Sequence, residues 1–264
     1  AYIAQCNAQG FYPALYYPHN IHFLWASASM EGRSAVAIEA GEKVAANVRL
    51  EQIQQFPTVE FFHTIPLQSL VRFARWDEVL QAPQPVAELT FSNAMWHYAR
   101  AIALVRTGEL DAAQVEIDAM QPLMDNEAIY LLDGNDYPAS QILAIADKLA
   151  NGELALAGSD YDAAIEFFSQ AVAIQDELPY TEPPFWYYPT RQTLGHAMMA
   201  AEDYAGAQAV YQADLAQYPR NGWSLYGLAR ALEAQGKNAE AATAQQRFDN
   251  IWARADVELS SSVL

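Results

Sequence analysis

His19 and His22 stand three residues apart, so if both are helical they share one face, the spacing at which two imidazoles could begin a metal site. The other histidines do not extend the pair. His63 lies shortly before Pro66, a predicted helix start, and His97 and His196 belong to other segments. No His-Glu-x-x-His spacing occurs, and Cys6 is the only cysteine, which excludes a cysteine-based zinc site. His19 and His22 are therefore weak metal candidates, and a structural or groove-lining role is expected for them; the sequence assigns no metal and no cofactor. Nucleophile and phosphate motifs are also missing, with no Gly-x-Ser-x-Gly and no glycine-rich phosphate loop. Asp133-Gly134-Asn135-Asp136 is acidic enough to suggest a calcium loop, but it lacks the alternating ligands and the downstream Glu, and it reads as a turn. No residue is assigned a catalytic role.

Charge and composition narrow the remaining classes. The formal net charge of -18, from 32 acidic and 14 basic residues, argues against nucleic acid, whose binding rests on Lys and Arg neutralising phosphates. Apolar and aromatic residues make up 52% of the chain, enough to bury a core. No apolar run approaches the roughly 20 residues that span a bilayer.

The elements that must position any site recur along the chain. A small residue on a helix surface repeats at Ala37, Val79, Ala113, Ala164, Ala207 and Ala241, with successive gaps of 42, 34, 51, 43 and 34. Gaps above 34 read as insertions of 8, 17 and 9 residues between otherwise regular helical hairpins. Twelve residues before these positions lie Trp25, Leu67, Ala101, Gly152, Gly195 and Ala229, small in four of six cases. Turn chemistry falls between each pair: Gly32-Arg33-Ser34, Ala74-Arg75-Trp76-Asp77, Gly108-Glu109-Leu110-Asp111, Ser159-Asp160-Tyr161-Asp162, Glu202-Asp203-Tyr204 and Gly236-Lys237-Asn238. Gly is expected to end the first helix of each pair in the left-handed region, and Asp, Ser or Asn to cap the second. No useful segment alternates with period two, so no sheet is predicted.

Leu194-Gly195, then Ala207, Tyr211 four residues later and Pro219, at these separations, resemble the tetratricopeptide repeat, with Arg191 where that repeat usually has Trp. Three longer stretches, Tyr17–Leu24, Val71–Glu78 and Glu182–Pro189, resemble the C-terminal half of large bacterial tetratricopeptide proteins without an assigned activity. The resemblance implies an all-α, right-handed superhelical solenoid of about six helix-turn-helix repeats with inter-repeat insertions. Residues 1–264 would form one solenoid: residues 1–16 the end of a preceding repeat and an aromatic linker, 17–175 divergent repeats, and 185–258 two regular repeats with a capping helix over Ala239–Glu258. It also implies further repeats upstream in a longer precursor, and it slightly favours a periplasmic or secreted location.

In such arrays the first helix of each pair lines a concave groove, which nominates His22, Gln68, Arg72, Tyr98, Glu153, Gln192, His196, Tyr226 and Arg230, with Trp223 at the last mouth. That mixture suits an extended peptide or a small polar ligand. Two aromatic, proline-rich stretches, Phe11–Pro18 and Leu178–Pro189, read either as stiff connectors or as groove walls. The preferred function is a non-catalytic scaffold for a protein, peptide or small polar ligand. The alternatives are a metal- or ligand-dependent hydrolase-like enzyme and a purely structural, self-associating module.

Overall fold

The computed structural model describes residues 17–264, so the expectations for residues 1–16 lie outside the described residues. All regular structure among the described residues is helical, with no strand. Six pairs of consecutive helices pack against each other across short turns. They are α1 (Tyr17–Met30) with α2 (Ser34–Ala46), α4 (Ile65–Arg72) with α5 (Trp76–Gln81), α6 (Thr90–Thr107) with α7 (Leu110–Met124), α9 (Ala139–Ala157) with α10 (Tyr161–Glu177), α11 (Arg191–Ala200) with α12 (Tyr204–Gln217), and α13 (Gly222–Ala234) with α14 (Asn238–Trp252). The expected insertions lie between pairs: α3 (Leu50–Gln55) and a 3-10 turn (Pro57–His63), then α8 (Glu127–Asp133), then the non-helical connector 178–190.

One backbone device ends the first helix of every pair. Gly32, Ala74, Gly108, Ser159, Glu202 and Gly236 all have φ between 54° and 87°. The next residue's N–H reaches back to a carbonyl five positions earlier: Arg33 to Ala28, Arg75 to Leu70, Glu109 to Leu104, Asp160 to Ala155, Asp203 to Met198 and Lys237 to Leu232, all at 2.8–3.0 Å. Three of these residues are not glycine; Ser159 and Glu202 are exposed, so the closing backbone hydrogen bonds rather than tertiary packing offset a conformation that costs an L-residue roughly 1–2 kcal/mol.

The expected caps hold only in part. Asp160 and Asp203 accept from Ala163 N–H (3.1 Å) and Gly206 N–H (2.9 Å). At the other four turns the N-cap residue is Arg33, Arg75, Glu109 or Lys237, none with a capping side-chain bond. The start of α2 is instead capped from across the molecule, Asp256 accepting from Ser34 N–H (2.6 Å) and Ala35 N–H (3.0 Å).

The recurring small residues face inward. Ala37, Val79, Ala113, Ala164 and Ala207 are completely buried, and Ala241 is 8% exposed. The glycines twelve residues upstream make room for an aromatic ring one helical turn beyond the small residue. A Cβ on Gly152 would collide with the Phe168 ring, and one on Gly195 with the Tyr211 ring. In the first pair Trp25 takes the glycine's place and donates its indole N–H to Ser69 Oγ at 2.7 Å, so that pair spaces itself against α4.

Two features depart from the expected layout. The final helix stops at Trp252 instead of running to Glu258, and residues 253–264 are not helical. They turn back, with Trp252 donating to Val257 O (2.9 Å). Ser262 donates to Gln192 O (2.8 Å) and pairs with the Tyr211 hydroxyl (2.7 Å). Secondly, the last pair meets the first: Trp223 Nε1 donates to Ser29 O (3.1 Å), Asp256 N–H donates to Gly32 O (3.1 Å), and the Trp252 ring fills the space a Cβ on Gly32 would need.

Candidate functional site

Side chains from five helices, the connector and the C-terminal segment meet around one cleft. Arg72, at the end of α4, forms one wall with Val71 and with Trp76 at the start of α5. Tyr98 and Arg106 come from α6, eight residues and about two turns apart. Leu149 and Glu153 come from α9, Tyr187 and Tyr188 from the connector, and Thr193 from α11. Val263 and Leu264, on the returning tail, complete the lining.

The two arginines in this cavity are treated differently. Arg106 donates from Nη2 to Glu153 Oε1 at 2.8 Å, and the attraction of that carboxylate raises its pKa despite burial. Arg72 is 6% exposed, and its Nε and Nη2 have no hydrogen-bond partner. Its guanidinium lies flat on the Trp223 ring, Cζ 3.6 Å from the centroid, and 5.0 Å from that of Tyr188. Burial lowers its pKa to about 10, against the attraction of Tyr188, Tyr187 and Asp214. It remains a cation at neutral pH, and a buried cation without an acceptor is costly.

The tyrosines are neutral donors. Burial pushes Tyr98, Tyr187 and Tyr188 above the ordinary tyrosine value. The Tyr98 and Tyr187 hydroxyls are 3.0 Å apart, and Tyr188 Oη is 3.0 Å from Thr193 Oγ1. Burial also lowers the pKa of His196, partly opposed by Glu153.

Of the ten nominated groove residues, Arg72, Tyr98 and Glu153 line this cavity. Trp223, expected at a mouth, is fully buried beneath Arg72, because its indole is clamped between that guanidinium and Ser29 O. Gln192 is fully buried on α11, its amide N and O both without partners. His22 and Gln68 face a second cleft together with His19, Phe61 and Tyr137. There His22 stacks on Trp25, and burial, with a smaller contribution from His19, lowers its pKa to about 3. Tyr226 and Arg230 lie elsewhere, Tyr226 against Phe248 and Arg230 on Gln245 and Glu233. Among the described residues no group of three or more His, Cys, Asp or Glu is placed to hold a metal ion. His63 Nε2 instead lies 2.7 Å from Val48 O, and His97 pairs with Glu116 at 2.6 Å. Asp133 caps Ser140 N–H at 3.0 Å, the task of a turn residue.

Arg106, Tyr187, Tyr188, Thr193 and the tail belong to the cavity but not to the nominated set. Arg106 was within reach of the register, two turns beyond Tyr98. The tyrosines belong to the stretch read as either connector or groove wall, and they line this cleft. The tail carried no signal, since Ser260-Ser261-Ser262 shows no helical periodicity.

Compared with protein-family models, the chain matches none. No curated protein matches it either. No described helix is long and apolar enough to cross a membrane.

Proposed function

We propose that this protein is a right-handed solenoid of about six tetratricopeptide-like repeats acting as a non-catalytic binding scaffold, its groove taking a peptide, protein segment or small polar ligand. The observation that carries the reading is the meeting of Arg72, Tyr98 and Glu153, from the first helices of three different pairs, around one cavity. Regular turn geometry and inward-facing small residues at each pair support the repeat assignment. Val263 and Leu264 occupy one side of the groove, so a bulky partner displaces the tail as it enters.

A photo-crosslinking residue at Trp76, on the cavity rim, and another at Val115, on an exposed second-helix face, distinguish a groove binder from other scaffolds. Partner adducts from Trp76 and not from Val115 are expected in native extract. Adducts from Val115 alone, or from neither, would remove the groove from the proposal.

A further inference from the structure

The second cleft collects polar groups that the fold leaves without partners. It lies between α1, α4, the segment just before α9 and the connector. Three side chains on it, His22, Gln68 and Tyr137, are only 6–8% exposed, and none makes a side-chain hydrogen bond among the described residues. The unpaired atoms of Arg72, Gln192 and Asp214 are sealed from solvent, whereas those of His22, Gln68 and Tyr137 keep accessible surface, and all three line the cleft. The His22 ring is held by Trp25, Phe61 and Phe62, with ring centroids 5.2–5.6 Å away. Burial lowers its pKa to about 3 and pushes the Tyr137 hydroxyl well above the ordinary tyrosine value, so both are neutral hydrogen-bonding groups. The other inner polar groups are occupied: Thr64 Oγ1 donates to Phe61 O (2.8 Å) and Trp25 Nε1 to Ser69 Oγ. Glu60, near Tyr137, accepts from Ser92 N–H (2.8 Å) and does not line the cleft. Further out, His19 and Glu182 are exposed and Thr181 is half-buried, Glu182 accepting from the Tyr180 hydroxyl.

Charge and the number of free groups restrict what fits. No Arg or Lys lines the cleft among the described residues, and its carboxylate, Glu182, is exposed. An anion therefore finds no fixed counter-charge, and a cation only a solvent-screened one. The interior offers neutral donors and acceptors: the Gln68 carboxamide presents a C=O beside an NH2, His22 one N–H and one bare nitrogen, and Tyr137 a hydroxyl. A ligand's adjoining N–H and C=O pair with both halves of that carboxamide. Rings make up most of the remaining wall, at Trp25, Phe61, Phe185, Pro183 and Pro184, and they suit a flat ligand. A sugar brings more hydroxyls than three groups can satisfy, and a buried hydroxyl without a partner is costly. A flat heterocycle brings only a few polar atoms. We infer that this cleft binds a small uncharged heterocycle of the lactam or pyrimidinone class, its adjoining N–H and C=O paired with the Gln68 carboxamide and its ring lying among the aromatic side chains. The site shares no lining residue with the Arg72 cleft, so it stands or falls separately from the scaffold reading.

Uracil is a suitable probe, with 1,3-dimethyluracil lacking its N–H donors, orotate adding a negative charge to the same ring, and glucose as the polyol. Calorimetry of the full chain at neutral pH should show saturable binding of uracil with a millimolar dissociation constant. The other three should bind about tenfold more weakly or not at all, the loss that follows from an unmade hydrogen bond or an uncompensated charge. Gln68→Leu should weaken uracil binding roughly tenfold for the same reason. No saturable binding of uracil, equal binding of dimethyluracil, orotate or glucose, or unchanged binding by Gln68→Leu would each overturn the inference. If Gln68→Leu does not fold by circular dichroism, the Gln68 side-chain amide resonances of the unmodified protein decide. They must shift on titration with uracil, and resonances that stay put count against the site. The crosslinking test at Trp76 reads the other cleft alone.

Discussion

The wall formed by α6 and α9 and the wall formed by α4 and α13 each bring one arginine to the same cavity. On the first, Arg106 Nη2 is hydrogen-bonded to Glu153, so its charge has a counter-charge within the fold although its Nε is unpaired. On the second, Arg72 rests on Trp223 and keeps its Nε–Nη2 edge unpaired. Packing on an aromatic face compensates a cation by about 2 kcal/mol at best when it is desolvated. A carboxylate compensates it more fully, at the cost of using the donors. The first wall is therefore paired within the fold, and the second leaves two buried donors without an acceptor.

The largest expected effect falls on the paired wall. Glu153→Ala strands Arg106, and breaking a buried pair on one side costs about 3–5 kcal/mol, reduced here to roughly 2–3 because the Arg106 side chain is 22% exposed. Urea unfolding measures it, and a loss under about 0.5 kcal/mol would erase the distinction between the walls.

Gly195→Ala tests how closely α11, which carries Thr193, must approach. The new Cβ has to displace the Tyr211 ring, and overpacking of this kind costs about 1–3 kcal/mol in thermal or urea unfolding.

Acidification comes next. The folded-state pKa values of His196, beside the paired wall, and of His22, in the neighbouring cavity, are both depressed. Below about pH 6.5 the unfolded chain takes up a proton that the folded chain refuses, so stability falls as pH drops, by at most about 1.4 kcal/mol per pH unit per group. For His22 the decline continues to about pH 3. Glu60 and Asp214, whose pKa values burial raises, act in the opposite sense, but they cancel when a variant is compared with the parent. The stability of His22→Leu should thus depend less on pH than that of the parent between pH 6.5 and 4, and equal slopes would refute the assignment.

The smallest effect is expected at the unpaired wall. Arg72→Met exchanges a desolvated charge without an acceptor for an apolar chain of similar length, and urea unfolding should change by less than about 1 kcal/mol in either direction. A loss above about 3 kcal/mol would mean that Arg72 is as fully satisfied as Arg106.

Local features of the fold were legible because turn chemistry and small-residue spacing are local. Gly32, Gly108 and Gly236 adopt the left-handed conformation read from them, and the three long gaps mark where α3, α8 and the connector sit. The site was legible only where the helical register sufficed, at Arg72, Tyr98 and Glu153. Contacts between distant parts of the chain were not. Nothing local to Asp256 or Ser34 says that they meet 222 residues apart, and nothing around Trp223 says that it is clamped against Ser29. The capping helix ended early for the same reason: its polar residues suit a solvated helix, while Trp252 is drawn into contact with Gly32 and Gly222.

In an open row of helical hairpins each unit leans only on its neighbours, so terminal units can fray and folding can start anywhere and spread. Here α13, α14 and the segment beyond them lean on α1 and α2, so neither end of the described chain can loosen alone. The link joins residues up to 222 positions apart, which lengthens the average loop that must close before native contacts form and slows folding accordingly. In return, the two ends are coupled, and removing the Asp256 cap is expected to broaden the unfolding transition.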